Sequence, residues 1–469
     1  MRRLHQAYLT LRSQARATQP VVGADARERT HKRSGMVRKL ETVFGTVEVE
    51  RTGHSGRGLS YLFPVDAALG LGSTRYSLEV DRQVALGALR MSFDATLEMM
   101  AVHNAAHVPK RQAEQSVKRS AVDFDAFCGN TRLHFPEPTS ELLALTFDQK
   151  GVVLRHEDLT DATRKAAQEA RPKMDSRRSK GEVKRGRKRR ASVAAVYTVA
   201  PHERTADDVI AGLRRVRDAI TKPKPRPEGK RVWASLQRPL KDVISDAFDE
   251  AADRDPKHRK RWLVLVDGDD KLIELVRAEA QRRGVEVTLV LDFIHALEYL
   301  WRAAHVFFDE GTSEIEDWVL ERLRRILQGE VSQVVAGMTR MATFRELSAK
   351  QRKPVDQAAN YLLKRKSMMR YEQLLAMGAP IATGVIEGAC RHLIKDRMDL
   401  TGARWSLEGA EAVLRLRSIL SSGDFDEYWA FHEQQETYRN HLSRYIDSKV
   451  PEIAPPTRRR RLRLVKNVA

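Results

Sequence analysis

The sequence predicts a mixed α/β protein with a large helical insertion. In residues 141–300, short apolar runs that are typical of buried strands alternate with amphipathic helical segments. Residues 301–378 have the periodicity of helices throughout, and a further helical stretch runs from 382 to about 442. A small β-hairpin and a helical region are predicted ahead of this core. The fold class is therefore α/β with an all-α insertion before the last helices.

Composition sets the size of the core and the class of partner. The chain has 469 residues, enough for about two to four domains at roughly 100–200 residues each. Hydrophobic residues make up 42% of it, which supplies a sizeable core. Lys and Arg number 83 against 63 Asp and Glu, a formal net charge of +20. Such an excess favours a polyanionic partner, because each phosphate that is neutralised releases condensed counterions.

Cysteine content and hydropathy exclude several classes of protein. The two cysteines, Cys128 and Cys390, are too few for a disulfide scaffold or a cysteine-rich zinc module. No apolar run approaches the roughly 20 residues that cross a bilayer. The basic residues at 1–17 precede no apolar segment with a cleavage site, so this stretch predicts a helix rather than a signal peptide. These features lead us to expect a cytoplasmic protein.

The N-terminal part predicts a small β-hairpin. Residues 20–40 are polar and basic, and we expect a loose arm there. Residues 41–51 alternate apolar and polar side chains, the pattern of a half-buried strand. The glycine-rich residues 53–58 predict a turn, and 59–63 can return as the partner strand.

Three short helices are predicted between residues 76 and 124. Leu86, Leu89 and Met91 lie on one face of the first, Ser92 is placed to cap the second, and residues 103–107 predict a turn. The third helix spans 108–122. Its polar face carries Lys110, Arg111, Lys118 and Arg119. Short helices joined by a tight turn, the last one basic, indicate a helix-turn-helix that binds DNA. The alternative is an ordinary helical bundle with a solvated charged face.

Five strands and two helices are predicted in the central core. The strands are 142–147, 151–155, 191–200, 262–266 and 285–291, and the helices are 240–254 and 271–283. The first two strands would form a hairpin through the turn Asp148-Gln149-Lys150. The order then becomes that of a parallel sheet, but no glycine-rich phosphate fingerprint follows the first strand. A regular dinucleotide-binding fold is therefore not expected.

Three polar segments interrupt or end these elements. Residues 171–190 contain eleven Lys or Arg and two Asp or Glu, which predicts a solvated loop. We assign Lys184, Arg185 and Arg187 in it to DNA on charge alone. Residues 222–230 predict a proline-rich linker, and the tail from Pro451 ends in a second basic run.

Three carboxylates stand out by their context. Asp148 and Asp267 each end a predicted buried strand, and Glu387 lies in a helical segment after the insertion. Strand-end carboxylates in such a sheet can meet at one edge, where a glutamate from a following helix completes the site. Cleavage of a phosphodiester needs an activated attacking oxygen and a stabilised leaving oxygen, which a pair of Mg²⁺ ions can provide. Carboxylate oxygens are suitable ligands for Mg²⁺.

Each carboxylate also has a plain structural interpretation. Asp148 and Asp267 could be turn residues, since Asp267-Gly268 is a common turn pair. Glu387, Arg391 and Lys395 are four residues apart, so they could form a salt-bridge stripe on one helix face instead of a carboxylate flanked by phosphate contacts. A zinc site is not expected near Asp292 and His295, because no cysteine or second spaced histidine pair is near.

Several longer runs together resemble a known family. They are LVDGD at 265–269, LDFIHALEYLW at 291–301, IATGVIEGACRHLIKDRMDLTGARWSLEGAEAVLRLR at 381–417 and GDFDEYWAFH at 423–432. FGTVEVER at 44–51, PVDAALGL at 64–71 and MRY at 369–371 extend the likeness. With these runs the chain resembles bacterial insertion-sequence transposases of the ISKra-four family, which are of the DDE type and similar in layout to Mutator-like transposases. The resemblance covers about residues 40–445.

The resemblance implies a ribonuclease H-like catalytic domain with an all-helical insertion before the glutamate. It implies Asp148, Asp267 and Glu387 as the catalytic and metal-binding residues, with Mg²⁺ (or Mn²⁺ as a substitute). It further implies Asp292 and His295 as a supporting element beside them. Relatives often carry cysteines in the N-terminal hairpin, whereas residues 51–63 here contain none, so no zinc is expected. For the second metal ligand, the alternative is that Asp292 takes this role and that Asp267 is only a turn residue.

The predicted organisation and function follow from these points. The predicted segments are an arm and hairpin at 1–74, a DNA-binding helical region at 75–140, the catalytic core at 141–300, the insertion at 301–378, the glutamate helix and C-terminal helices at 379–446, and a basic tail at 447–469. We expect a DNA transposase that binds the terminal inverted repeats of its element as double-stranded DNA and works as a homodimer or larger complex. One rival is another ribonuclease H-like nuclease without strand transfer. A second is a domesticated DNA-binding regulator, which would be expected to have lost an acidic residue.

Overall fold

The computed structural model describes residues 1–131, 142–169, 188–214, 224–400 and 402–454. Its strands are β1 Arg16–Ala17, β2 His31–Thr42, β3 Gly45–Gly56, β4 Leu59–Leu62, β5 Leu142–Val153, β6 Lys188–Val199, β7 Glu228–Ser235, β8 Arg261–Val266, β9 Thr288–Leu291 and β10 Ile453–Ala454. Its helices are α1 Arg2–Ser13, α2 Pro64–Ala68, α3 Leu78–Arg90, α4 Phe93–His103, α5 Lys110–Ser120, α6 Phe124–Thr131, α7 Asp161–Glu169, α8 Ala206–Arg214, α9 Leu240–Arg254, α10 Asp270–Arg283, α11 Phe293–Ala304, α12 Ser313–Leu327, α13 Val331–Phe344, α14 Ala349–Lys364, α15 Tyr371–Ala376, α16 Gly384–Ala389, α17 Asp396–Met398, α18 Leu407–Ser422 and α19 Phe425–Asn440.

These elements form two compact units. The first contains Met1–Phe127 together with Asp424–Ala469, and the second contains Cys128–Gly423. The chain thus leaves the first unit once and returns to it after Gly423. The finer division into six segments stays a prediction.

The first unit contains a three-stranded antiparallel sheet in the order β2-β3-β4. The predicted return strand is confirmed, because β4 pairs with the end of β3. The loose arm predicted over 20–40 is wrong for its second half, since His31–Thr42 is strand β2. Most side chains of β2 are exposed, so no apolar alternation marks the strand, and main-chain pairing with β3 holds it. The β2–β3 turn also interrupts the single strand predicted over 41–51.

Helices α3, α4 and α5 pack against one another in the first unit. The predicted cap is confirmed, because the Ser92 hydroxyl accepts a hydrogen bond from the Ala95 amide at 3.1 Å. The predicted turn separates α4 from α5, and α5 is shorter at both ends than the predicted helix at 108–122. One face of α5 is buried and the other exposed, as expected of either a helix-turn-helix or an ordinary bundle. Its DNA-binding role stays a prediction.

A buried carboxylate ties α19 to the rest of the first unit. Asp123 accepts hydrogen bonds from His432 Nδ1 at 2.6 Å and from Arg439 Nη1 and Nη2 at 2.5 and 2.8 Å. Burial raises the pKa of Asp123, but the hydrogen bonds from Arg439 and His432 outweigh it and leave the pKa below its ordinary value. The ionised carboxylate is therefore the form that stabilises this unit.

The second unit is built on a five-stranded mixed sheet in the order β7-β6-β5-β8-β9. Strand β6 is antiparallel to both of its neighbours, β5 and β7, whereas β8 is parallel to β5 and β9 is parallel to β8. Strand β8, predicted as the fourth strand of this core, pairs with β5, which contains the first. The central strands are almost wholly buried, because helices cover the sheet on both faces.

The hairpin predicted at the start of this core is wrong. Residues 142–153 form one continuous strand, and β6 pairs with all of it, from Leu142↔Val199 to Val153↔Lys188. Asp148-Gln149-Lys150 is therefore not a turn. The polar residues mimic one because they lie where β5 leaves the buried core and becomes half exposed.

Two further differences concern the neighbouring segments. Strand β7 begins within the predicted linker at 222–230 and has no counterpart among the predicted strands. Helices α7 and α8 are likewise absent from the prediction. In contrast α9, β8 and α10 lie within one residue of the predicted bounds, because their apolar periodicity is strong.

A helical insertion, α11 to α15, connects β9 to α16. Its buried face includes Leu300, Trp318, Leu323 and Ile326, and it belongs to the same apolar core as the sheet. Among the described residues, no helix is long and apolar enough to cross a membrane. The basic loop at 171–190 lies outside the described residues up to 187, while Lys188–Arg190 begin β6. The basic tail from 455 also lies outside them.

Replacing Asp123 by alanine should destabilise the first unit by about 2–4 kcal/mol, since it leaves a buried histidine and an arginine without their anion. The contribution of the carboxylate is present above its unfolded pKa of about 4 and is lost as the pH falls through the lower folded value. Urea unfolding of the variant and the wild type should therefore differ most at neutral pH and converge in acid.

Asp426→Ala is the matched control. This carboxylate lies on α19, the helix that Asp123 binds, and it pairs with Arg82 at 2.7 Å, but it is 86% exposed, so its loss should cost less than about 1 kcal/mol. Equal losses in the two variants would show that Asp123 is no anchor.

Candidate active site

The three parallel strands bring three aspartates to one level of the sheet. Thr146 pairs with Leu265, and continuing this register by two residues places Asp148 opposite Asp267. Val266 pairs with Leu291, and the next position places Asp267 opposite Asp292. Neighbouring strands are about 4.8 Å apart, so the three main-chain positions form a short row. Asp148 lies within β5, not at its end as predicted, whereas Asp267 directly follows β8.

Asp148 is held by groups from its own strand and from the glutamate segment. Its Oδ1 accepts a hydrogen bond from the Gln149 amide at 2.6 Å. Its Oδ2 accepts one from the Cys390 thiol at 3.1 Å and lies 3.7 Å from Lys150 Nζ. The side chain remains 27% exposed. A carboxylate that is oriented by its neighbours and still open to solvent can bind a cation.

Cys390 connects Asp148 to Glu387. Helix α16 packs against β5 and β6 and carries Glu387, and Cys390 follows its last residue. Burial raises the pKa of the Cys390 thiol, and the nearby charges of Asp148 and Glu387 raise it further. The thiol therefore stays protonated and donates to Asp148. Cys390 has no role that the sequence predicts, since a single cysteine has no motif, and its position three residues after Glu387 is the one available signal.

The carboxylate of Glu387 is exposed and takes no part in a hydrogen bond or ion pair within the described ranges. The chain from Cys390 to Lys395 is a π-helical turn, which changes the spacing of the side chains that follow. Arg391 pairs with Asp396 at 3.6 Å, five residues on, instead of with Glu387. Of the two alternatives for Glu387, Arg391 and Lys395, the salt-bridge stripe is therefore not formed, and both basic side chains are exposed.

Asp267 is half-buried at the start of a tight turn. Its Oδ1 accepts a hydrogen bond from the Asp269 amide at 2.9 Å. Asp269 in turn caps α10 by accepting from the Leu272 amide, and Asp270 pairs with Lys364 at 2.7 Å. The carboxylates of Asp269 and Asp270 are thus engaged in structural contacts. Asp267 is the acidic residue of this turn that belongs to the row of three aspartates.

Asp292 has a different environment from Asp267. It is fully buried, and its Oδ1 caps α11 by accepting from the Ile294 amide at 2.9 Å. Its Oδ2 accepts from the hydroxyl and the amide of Thr383, which directly precedes α16. These contacts tie the end of β9 to the start of the Glu387 helix. His295 lies apart from them and faces Glu298 at 3.6 Å.

The donor set fits Mg²⁺ in its chemistry, because carboxylate oxygens are the ligands this ion prefers. The described residues nevertheless contain no group of three or more His, Cys, Asp or Glu side chains arranged to hold a metal ion. The structure therefore brings Asp148 and Asp267 to one level and Glu387 to the side of Cys390, but it does not show a formed ligand set.

The predicted DNA-binding residues of α5 fall into two groups. Lys110 pairs with Asp94 at 2.7 Å, and Arg119 lies 3.4 Å from Asp81. Arg111 is exposed, and Lys118 is half-buried. The free part of this helix surface is therefore centred on Arg111, near the start of α5. Lys184, Arg185 and Arg187 lie outside the described residues.

A comparison with models of known protein families and with curated proteins found no match to this chain.

The environments of Asp267 and Asp292 predict that the same substitution changes the stability of the protein to different extents at the two positions. Asp292→Asn should lower the stability by about 1–3 kcal/mol. The new side chain replaces one of the two accepting oxygens by an NH₂ group, which then faces a buried donor and leaves it without an acceptor. Asp267→Asn should leave stability within about 0.5 kcal/mol, since its carboxylate is partly exposed. Urea unfolding of the two variants measures this difference, and a stable Asp292→Asn variant would contradict the structural role given to Asp292.

Proposed function

We propose that this chain is a metal-dependent DNA transposase of the DDE type, in which Asp148, Asp267 and Glu387 form the active site. The observation that carries the proposal is the common level of Asp148 and Asp267 on two neighbouring parallel strands, with the helix of Glu387 joined to Asp148 through Cys390. The strand order is the one that the resemblance to ISKra-four transposases implies for a ribonuclease H-like domain. The exposed, unpaired Glu387 carboxylate adds support.

The three carboxylates would hold Mg²⁺, or Mn²⁺ in its place, and a pair of such ions supplies an activated attacking oxygen and a stabilised leaving oxygen. Other groups of the chain orient two of these carboxylates. Cys390 and the Gln149 amide orient Asp148, while the Asp269 amide orients Asp267. Three carboxylates at one site repel each other, and a bound cation offsets that repulsion.

The proposed reaction has two displacements at phosphorus. Water attacks the phosphodiester at the end of the element, the bond to the 3′ oxygen breaks, and a free 3′-hydroxyl and a 5′-phosphate remain. That 3′-hydroxyl then attacks a phosphodiester of the target DNA and displaces a 3′ oxygen there. Arg391 and Lys395, exposed on the segment after Glu387, are the proposed contacts to DNA phosphates near the scissile bond.

The partner in this proposal is double-stranded DNA, first the terminal inverted repeats of the element and then the target. The net charge of +20 supports such a partner. Both ends of the element must be held together during strand transfer, so we propose a homodimer or a larger assembly in the bacterial cytoplasm. The exposed part of α5 around Arg111 is the proposed contact to the repeats.

The test is a donor plasmid that carries the gene within its own flanking genomic DNA, incubated with the purified protein and Mg²⁺. Cleavage at both flanks, followed by joining of pre-cleaved ends to a target plasmid, is the expected result. Cleavage without joining would indicate a nuclease of another purpose, and binding without cleavage would indicate a DNA-binding regulator.

Asp148→Ala, Asp267→Ala and Glu387→Ala should each lower cleavage by at least about a hundredfold, the order of loss when one group that stabilises a transition state is removed. Binding to the flanking DNA, measured by mobility shift, should stay close to wild type because it depends on Lys and Arg. Glu274→Ala, which removes an exposed carboxylate on α10, is the control and should cleave normally. Wild-type cleavage by any of the three variants would remove that residue from the proposed site.

A further inference from the structure

Two side chains of the helical insertion bind the main chain of the turn at Asp267 and Gly268. At the end of α14, the Tyr361 hydroxyl donates a hydrogen bond to the main-chain oxygen of Asp267 at 2.8 Å. Arg365, one residue after the helix, donates from Nε to the main-chain oxygen of Gly268 at 2.8 Å, and its Nη2 donates to the same oxygen. Two consecutive carbonyl groups are thus fixed by side chains that are more than 90 residues away along the chain.

Gly268 lets the two side chains come this close. Its φ is +90°, a conformation that other residues rarely adopt. A Cβ atom there would lie 2.5 Å from the Tyr361 hydroxyl and 2.7 Å from Arg365 Nε. The turn and the two side chains therefore fit together only with a glycine at this position.

Tyr361 and Arg365 are themselves held in place. The ring of Tyr299, on α11, stacks on the ring of Tyr361 with centroids 3.7 Å apart and an angle of 13°. The guanidinium of Arg365 lies over the Tyr361 ring, 4.2 Å from its centroid, and Arg365 is only 8% exposed. Nη2 of Arg365 also lies 3.2 Å from Asp270, at the start of α10. Side chains packed so tightly have little freedom to move.

We propose that Tyr361 and Arg365 are positioning residues for the carboxylate of Asp267, an inference that rests on the proposed function of Asp267. The main chain at Asp267 sets where its carboxylate points, and the hydrogen bonds from Tyr361 and Arg365 fix that main chain. A displacement of about 1 Å in a reacting site can lower the rate about a hundredfold. The helical insertion would then act on the chemistry through these contacts as well as fill the space between β9 and Glu387.

The competing interpretation is that Tyr361 only packs α14 against the sheet. The two interpretations differ in what the hydroxyl does. A packing role depends on the ring, which Tyr361→Phe retains, whereas a positioning role depends on the hydrogen bond, which this substitution removes. Tyr299→Phe is the matched control, because its ring belongs to the same stack and its hydroxyl makes no hydrogen bond in the part of the chain that the structure describes.

The experiment titrates Mn²⁺ alone into the full-length protein and follows the free ion by electron paramagnetic resonance, with Asp267→Ala as the reference. Tyr361→Phe should weaken Mn²⁺ binding about 10-fold, the usual scale for a residue that orients a ligand, and Arg365→Lys should do the same. Tyr299→Phe should bind like the wild type. The Mn²⁺ concentration for half-maximal cleavage should shift by the same factors, and the urea unfolding midpoints of the two Tyr→Phe variants should be similar.

The outcomes separate the two proposals. If Asp267→Ala loses Mn²⁺ binding while both Tyr361→Phe and Arg365→Lys bind like the wild type, the positioning role is overturned and the function of Asp267 stands. Equal weakening by Tyr361→Phe and Tyr299→Phe would assign the effect to ring packing and would also overturn it. If Asp267→Ala binds Mn²⁺ and cleaves normally, the proposed site falls and the positioning role falls with it.

Discussion

The parallel register of β5, β8 and β9 is the constraint on which the candidate site depends. It alone places Asp148 and Asp267 at one level, since no hydrogen bond between their side chains does so. A shift of one residue in either pairing would move every side chain of a strand to the other face of the sheet. The buried apolar side chains of β8 prevent such a shift, because both faces of the sheet are covered. The core thus sets the geometry of the polar edge.

The long segment between Asp267 and Glu387 has to bring Glu387 back to a defined position on the sheet. Two contacts fix this position. Asp292, at the end of β9, binds Thr383 ahead of α16, and Cys390, just after α16, binds Asp148 in β5. Both are buried, so losing a partner would leave a polar group unsatisfied at a cost of about 1–3 kcal/mol. The helix that carries Glu387 is therefore fastened to the sheet on both sides of the glutamate.

Sequence reasoning reached those parts of the fold whose pattern is local. The strand β8 and the helices α9 and α10 have strong apolar periodicity, and their bounds follow from it. The continuity of β5 through Asp148 and the existence of β2 depend on main-chain pairing with β6 and β3, which leaves no apolar signature. The roles of Cys390 and Tyr361 depend on contacts between residues more than 90 positions apart, so the sequence contains no sign of the role of Tyr361 and, for Cys390, only its nearness to Glu387.

Three unusual local features lie beside residues of the proposed site. The π-helical turn at Cys390–Lys395 shifts Arg391 toward Asp396, which leaves the Glu387 carboxylate without a basic partner. Gly268 adopts a left-handed conformation beside Asp267, and the thiol of Cys390 is buried against a carboxylate. Local conflicts of this kind are expected where function, not stability, selects the residue. The three features lie beside Asp148, Asp267 and Glu387, which are far apart in the sequence, and they support the proposed site independently of the chemistry of the carboxylates themselves.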